Sequence, residues 1–455
     1  MSDYASFLDS KAIRAIPTGL PSPAEPPAML FPFQRDIVKW ALRRGRAAIF
    51  ADCGLGKTPM QLAWADQIPG RVLILAPLAV AQQTCREGQK FGIGVTYSRV
   101  PCDDRIVITN YEMLEHFNPS DFAGIVLDES SILKSYDGKF RNQIIDSFRD
   151  TPFKLACTAT PAPNDHMELG NHAEFLGVLT RTEMLSTFFV HDGGDTSQWR
   201  LKGHAQKDFW QWVCSWAVMI RKPSDLGYED GAFTLPPLEM HQHIVEAMST
   251  PEGALFALEA TTLQERQQAR KGTTKERCEA VAALVAEKPH EPWLVWCNLN
   301  DESATVTSMI PGAVEVTGSD SNEKKELAML GFVTGDVQIL TSKPSICGYG
   351  MNFQRCANVA FLGLSDSYEQ FYQAVRRSYR FGQTQTVHCH IVTSDIEGAV
   401  VANIQRKEAD AARMAAEMVD HMRDMNEADI RGSVRTSDSY EPRVDMELPF
   451  WMVAA

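Results

Sequence analysis

Short apolar runs recur along this chain, each followed by a stretch of helical character. In the first half the clearest are Arg46-Ala47-Ala48-Ile49-Phe50 and Ala123-Gly124-Ile125-Val126-Leu127. In the second half Trp293-Leu294-Val295-Trp296-Cys297, Val314-Glu315-Val316 and Gln338-Ile339-Leu340-Thr341 repeat the pattern. A strand covered by helices on both faces reads as a continuous apolar run, so the alternation predicts an α/β fold with parallel sheets. The predicted order is an extended Pro- and Ala-rich arm over 1–28, a first lobe over 29–181, a Trp-rich helical insertion and crossover over 182–245, a second lobe over 246–395, a helix over 396–429 and a polar tail over 430–455. Trp212 and Trp216 stand one helical turn apart, which predicts packing on the core. In Leu235-Pro236-Pro237-Leu238-Glu239 the proline pair predicts a stiff, extended stretch. The Ala- and Met-rich pattern from Ile396 to Met425 predicts one long helix bracing the two lobes.

Two of the apolar runs end in candidate chemistry. The first is followed directly by Ala51-Asp52-Cys53-Gly54-Leu55-Gly56-Lys57-Thr58, with a helix starting near Pro59, where proline's missing N–H costs nothing. Glycines at Gly54 and Gly56 let consecutive backbone N–H groups curl around phosphate oxygens. Lys57 is then placed to reach the β- and γ-phosphates and Thr58 to ligate Mg²⁺. The second run ends in Asp128-Glu129. Ligands gather at the carboxyl ends of parallel strands, so Asp128 is placed to hold Mg²⁺ and Glu129 to polarise an attacking water. Together these imply ATP and Mg²⁺ as cofactors.

Arg377 and Arg380 lie three apart and would share one helix face. A pair of fixed guanidiniums suits the charge on a γ-phosphate in its transition state, provided a second lobe carries them to a phosphate held by the first.

The series of motifs resembles a superfamily-two helicase-type ATPase, and within that group a Swi/Snf-type double-stranded DNA translocase, from about Leu30 to about Val392. Leu30-Phe31-Pro32-Phe33-Gln34 resembles that group's Leu-x-Pro-x-Gln motif, which implies that Gln34 reads the adenine edge. Ala76-Pro77-Leu78 and Ile108-Thr109-Asn110-Tyr111-Glu112 are similar to its first-lobe nucleic-acid segments, implying contacts from Pro77, Thr109 and Tyr111. Cys157-Thr158-Ala159-Thr160-Pro161 with Asn164, Glu168 and Leu169 resembles the segment that couples hydrolysis to lobe movement. Thr341 and Lys343 lead to Gly348-Tyr349-Gly350-Met351-Asn352, similar to a Gly-rich segment touching both DNA backbone and nucleotide; the resemblance implies nucleotide contact by Gly350 and DNA contacts by Thr341, Lys343 and Asn352. Gln373-Ala374-Val375-Arg376-Arg377-Ser378-Tyr379-Arg380-Phe381-Gly382-Gln383 resembles Gln-Ala-x-x-Arg-x-x-Arg-x-Gly-Gln, implying nucleotide contact by Gln373 and catalytic roles for Arg377 and Arg380. The implied fold is two RecA-like lobes in tandem with an ATP cleft between them, and a C-terminal helix. The chain departs from the family at Ala51, at Ser130-Ser131 in place of Ala-His, and at Ser365-Asp366-Ser367-Tyr368 in place of Trp-Asn-Pro. Its compact 455 residues resemble phage, prophage or bacterial members.

Composition narrows the picture. A 44% hydrophobic content fits a soluble globular protein, and neither a membrane-length apolar run nor a signal-like N-terminus is present, which predicts a cytoplasmic protein. The ten cysteines contain no C-x-x-C pair, so reduced thiols and no zinc site are expected. His388 and His390 alternate along a strand but lack a third ligand in the sequence. A net charge of -14 is awkward for a DNA-binding protein, so a local basic track is expected, with Arg43, Arg44, Lys134, Lys139, Arg141, Lys202, Lys207 and Lys343 as candidates. Double-stranded DNA is the expected partner, and a protein partner through the C-terminal helix or tail stays open. A strand-separating or fork-remodelling helicase is one alternative, an ATP-gated binding module with little turnover another.

Overall fold

The computed structural model of the chain describes residues 14–134, 138–162, 165–192, 195–246, 271–347, 351–365, 367–395 and 398–431. The arm before residue 14, Asn164, Gly348 to Gly350 and the tail beyond residue 431 lie outside the described residues.

The first lobe is built on a fully parallel sheet ordered β3-β4-β2-β5-β6-β1-β9. Its strands are β1 (Arg46–Ala51), β2 (Val72–Ala76), β3 (Thr96–Tyr97), β4 (Ile106–Asn110), β5 (Gly124–Asp128), β6 (Phe153–Thr158) and β9 (Ala217–Ile220). Helices α1 (Pro32–Arg44), α2 (Lys57–Gln67), α3 (Leu78–Lys90), α4 (Lys139–Ser147), α5 (Leu169–Leu176), α6 (Arg181–Phe188) and α7 (Gln206–Cys214) accompany it. Alternate residues of one strand enter different cores: Ala48 and Phe50 face one cluster while Ala47, Ile49 and Ala51 face the other. Because both faces are covered, every position must be apolar, which is why these strands read as unbroken hydrophobic runs.

The second lobe repeats the plan with a parallel sheet ordered β10-β15-β14-β11-β13-β12. Its strands are β10 (Leu238–Val245), β11 (Trp293–Cys297), β12 (Ala313–Val316), β13 (Ile339–Ser342), β14 (Asn358–Leu362) and β15 (Val387–Ser394). Helices α8 (Thr274–Glu287), α9 (Asn300–Met309), α10 (Asn322–Thr334), α11 (Pro344–Cys347) and α12 (Tyr368–Val375) complete it. The fold is α/β, two RecA-like lobes in tandem.

The segment expected as a separate insertion is divided between the lobes. Strands β7 (Phe189–Asp192) and β8 (Asp195–Leu201) form an antiparallel hairpin, and β9 pairs with β1 inside the first sheet. Residues 182–220 therefore finish the first lobe, and only the stretch up to β10 crosses over. Trp212 and Trp216 are fully buried in the first-lobe core, with rings 5.4 Å apart, as their spacing predicts.

The last described element is α13 (Gly398–Arg431), a 34-residue helix. Val400, Val401 and Ile404 join the second-lobe core, whereas Met418, Val419 and Met422 join the first. Near its end Asp429 accepts a hydrogen bond from the Trp40 indole at 2.6 Å and pairs with Arg44. Among the described residues no helix is long and apolar enough to cross a membrane.

Candidate functional site

In the first sheet β1, β6 and β5 are neighbours, so the loops leaving their carboxyl ends converge. The loop after β1 has Gly54 at φ 91° and Gly56 at φ 81°, both in the left-handed region that suits glycine. Space forbids side chains there as well. A Cβ on Gly56 would lie 2.2 Å from Gln34 Nε2, and one on Gly54 would lie 2.8 Å from the backbone nitrogen of Phe381. Lys57, the first residue of α2, donates from Nζ to the Ala51 carbonyl at 2.9 Å. Gln34 is held on this loop: its Nε2 donates to the Leu55 carbonyl at 2.8 Å and its Oε1 accepts from Phe31 N at 3.0 Å.

Asp128 ends β5 and is nearly buried, its Oδ1 accepting from Gln61 Nε2 at 2.8 Å. Burial raises its carboxyl above the ordinary range, opposed by the Gln61 amide and by Lys57. Glu129 is likewise raised by burial, opposed by Lys57 and reinforced by Asp128. Its φ of 56° is the one positive value of a non-glycine residue among those described. This backbone is costly for a long side chain, and such outliers cluster where geometry is over-determined by function. The peptide there is pinned by Tyr111, whose hydroxyl donates to the Asp128 carbonyl at 2.6 Å. Of the two serines that follow, Ser130 Oγ lies 3.1 Å from His172 Nε2 in the core. Ser131 Oγ reaches across to donate to Glu369 Oε1 at 2.9 Å. Burial lowers the His172 pKa to about 4, so it stays neutral.

The arginine segment does not continue as a helix. α12 stops at Val375, and Arg376 to Gly382 form consecutive turns, with Gly382 at φ 91°. Gln383 holds these turns in place. Its Nε2 lies 2.9 Å from the Gln354 carbonyl and 3.2 Å from those of Cys356 and Ser378, while its Oε1 accepts from Thr384 N and Gln385 N at 2.9 Å. The last carbonyls of α12, those of Tyr372, Ala374 and Val375, are taken up by backbone N–H groups of Arg376 to Tyr379, and Gln383 ties the following turns to the segment from Gln354 to Cys356. Arg377 and Arg380 still point the same way. With Gln34, Gly54, Gly56, Lys57, Thr58, Asp128, Glu129 and Asn352 they line one cavity of about 280 Å³ between the lobes.

The lobes are joined here by groups that motif reading missed. Asp52, inside the phosphate loop, accepts from Arg376 Nη2 at 3.0 Å and from the Tyr372 hydroxyl. The Arg376 guanidinium lies 5.1 and 5.2 Å from the ring centres of Tyr372 and Tyr379. A signal was available: a carboxylate in a phosphate-binding loop repels its ligand unless a cation neutralises it.

Other expected contacts are placed differently. Gln373 is 4% exposed and does not line the cavity, so its side chain is removed from direct nucleotide contact. Thr109 and Thr341 are central strand residues with no exposed surface, which excludes their side chains from touching a nucleic-acid partner. Asn352 lines the 280 Å³ cavity between the lobes. Tyr111 is buried and its hydroxyl is committed to Asp128, although its ring edges a larger cleft of about 680 Å³, which Pro77 also borders. Lys343 is half-buried and does not line that cleft. Of the basic candidates, Arg141 is buried against Glu174, Arg44 pairs with Asp429, and Lys134 pairs across the lobes with Glu369. Lys202 caps the carbonyls of Ser186 and Thr187. Ion pairs hold Arg44, Lys134 and Arg141, and backbone carbonyls hold Lys202.

No family model matches the chain, and no curated protein matches it by sequence. Solved structures do resemble it. The likeness is one of fold, two RecA-like lobes in tandem. A fragment described as an HsdR subunit of a type I restriction enzyme from Vibrio vulnificus YJ016 aligns with 82% of this chain at 16% identity and a TM-score of 0.51; the match spans 64% of that fragment. The Sulfolobus solfataricus SWI2/SNF2 ATPase core in complex with dsDNA aligns with 90% of this chain and 98% of its own length, at 16% identity and a TM-score of 0.41.

Proposed function

We propose that this chain is a nucleic-acid-dependent ATPase that hydrolyses Mg-ATP and uses the cycle to move along double-stranded DNA. The observation that carries the reading is the shared cavity, in which Lys57, Thr58, Asp128 and Glu129 of one lobe face Arg377 and Arg380 of the other. A loop of positive-φ glycines, three cations, a buried carboxylate and a half-buried one fit a polyphosphate chelated to a divalent cation. Thr58 and Asp128 would hold Mg²⁺, and Lys57 and the loop N–H groups the phosphates. The bound Mg²⁺ supplies charge neutralisation and Lewis acidity toward phosphoryl oxygens. Gln61 holds the Asp128 carboxylate in place at the cavity wall. Glu129, its carboxyl raised above the ordinary range by burial, orients a water and accepts its proton. Arg377 and Arg380 stabilise the charge that builds on the transferred group. Opening and closing of the cleft, relayed through Thr158-Ala159-Thr160-Pro161 at the end of β6, would move the lobes relative to DNA lying along the 680 Å³ cleft. The proposed domain limits follow: a first lobe through β9, a second from β10 to β15, and α13 shared between them.

Steady-state ATP hydrolysis by wild type and Glu129→Gln tests this, with no nucleic acid and with single-stranded DNA, duplex DNA or RNA at low salt. Duplex-specific stimulation, with Glu129→Gln binding ATP but turning over at least 100-fold more slowly, is the expected result. Stimulation by single strands or RNA alone would indicate a strand-separating helicase. The absence of stimulation by any of them would indicate an ATP-gated binding module.

A further inference from the structure

The outer edge of the second sheet carries a cluster that the ATPase reading does not use. β10 and β15 run parallel in a register that sets Glu239 beside His388 and His241 beside His390. Strand alternation therefore puts Glu239, His241 and His243 on the same face as His388 and His390. His388 and His390 lack a third ligand nearby in the sequence, because the remaining groups lie about 150 residues away along the chain and meet them only through strand pairing.

Three donor atoms converge. His241 Nε2 lies 3.2 Å from His388 Nδ1, Glu239 Oε2 lies 3.2 Å from His388 Nδ1, and the same oxygen lies 3.6 Å from His241 Nε2. Nitrogen and oxygen ligands held at about 2.0–2.2 Å by a tetrahedral zinc ion are separated by about 3.3–3.5 Å, the edge of that tetrahedron. The observed triangle has the dimensions of one face of such a site. Among the described residues, no other group of three or more His, Cys, Asp or Glu side chains has this arrangement. The second rung supports the first: His243 Nε2 lies 3.0 Å from His390 Nδ1, and the His241 and His390 rings stack with centres 4.8 Å apart. Imidazole orientation, which a metal site must fix, is thus set before any ion arrives. Two imidazoles and one carboxylate suit Zn²⁺ and its borderline neighbours, whereas Mg²⁺ and Ca²⁺ favour all-oxygen sites.

We propose that Glu239, His241 and His388 form a binding site for a divalent transition-metal ion, with Zn²⁺ the natural occupant, leaving one coordination position open to solvent. The ion would tie β10, the first strand after the crossover, to β15, the last strand before α13. The other face of β10 gives Leu238 and Met240 to a cavity of about 240 Å³ that also borders Asp52, Arg376 and α13. A metal on the outer face would therefore stiffen a strand that forms part of the wall between the lobes.

The test uses the full-length chain, free of any affinity tag and stripped by chelator, titrated calorimetrically with Zn²⁺ and spectroscopically with Co²⁺. Wild type is expected to bind one equivalent and to give the visible absorption of tetrahedral Co²⁺ with nitrogen and oxygen ligands. His241→Gln and His388→Gln should each weaken binding at least tenfold, and Glu239→Gln should weaken it as well. His243→Gln should retain one equivalent. All four variants should melt within a few degrees of wild type in chelator, since the cluster is at the surface. No binding by wild type, or unchanged stoichiometry in His241→Gln and His388→Gln, overturns the proposal. So does a sulfur-to-cobalt charge-transfer band, which would place the ion on cysteines. None of these readouts involves nucleotide, so failure here leaves the ATPase reading intact.

Discussion

Asp52 places a negative charge in a loop shaped for phosphate, and its neutralisation by Arg376 of the other lobe makes the phosphate site and the lobe contact one electrostatic unit. Removing the carboxylate leaves a guanidinium between two tyrosines without its counter-charge. Because both partners retain some exposure, 18% for Arg376 and 19% for Asp52, the stability loss should be modest, about 1 kcal/mol. Asp52→Asn is therefore expected to fold, to bind ATP, and to lose roughly tenfold in kcat through looser placement of Arg377 and Arg380; single-turnover kinetics beside nucleotide titration separates the two. His172 gives a pH signature. Its folded pKa of about 4 lies below the ordinary value of 6.5, so the unfolded chain takes up the proton first on acidification. Stability from this residue is complete above pH 6.5 and is lost progressively as pH falls toward 4, by roughly 3 kcal/mol in total. His172→Gln should flatten the slope of denaturant stability against pH over that window; an unchanged slope would assign it to other groups. Residue identities at the proposed nucleotide site stand out in the sequence because glycines, lysine and paired carboxylates each have few other reasons to stand at a strand's end. The partners of Ser131 and Asp52 were not, since both lie in the other lobe, more than 200 residues away.

At the level of elements, the turn after α12 shows where periodicity misleads. Arg377 and Arg380 stand at helical spacing, and a helix would have pointed them alike. They point alike for another reason: Gln383 gathers the carbonyls of Gln354, Cys356 and Ser378, and Phe353 N caps the Arg377 carbonyl at 2.9 Å. Gln383→Ala leaves several buried carbonyls without a donor, at about 1–3 kcal/mol. The expected result is a lower melting temperature together with a fall in kcat larger than any change in ATP affinity. Strand positions, by contrast, could be read directly, because two-sided burial leaves little choice of residue. What the runs could not reveal was strand order, so β9 was assigned to a linker although it lies beside β1 in the first sheet. For the same reason Thr109 and Thr341 looked available for contact, whereas each is enclosed by neighbouring strands and helices.

For the whole molecule, a net charge of -14 and the internal pairing of many candidate cations leave little to hold duplex DNA by charge alone. α13 governs how the two halves can move. Met422→Ala, at a fully buried position where this helix meets the first lobe, should cost about 2–5 kcal/mol. If the helix also holds the lobes in register, turnover should fall at temperatures where the variant remains folded; equal ATPase rates there would confine α13 to stability. A helix of 34 residues is about 51 Å long, and this one is fastened near each end to a different lobe. Two bodies fixed to opposite ends of a stiff rod cannot draw apart along it; they can only turn about it, or flex it in the stretch from Lys407 to Met414, where it has no buried side chain. On the proposed reading an ATP cycle would be geared to rotation, with a stroke length set by the radius from that rod to the 680 Å³ cleft.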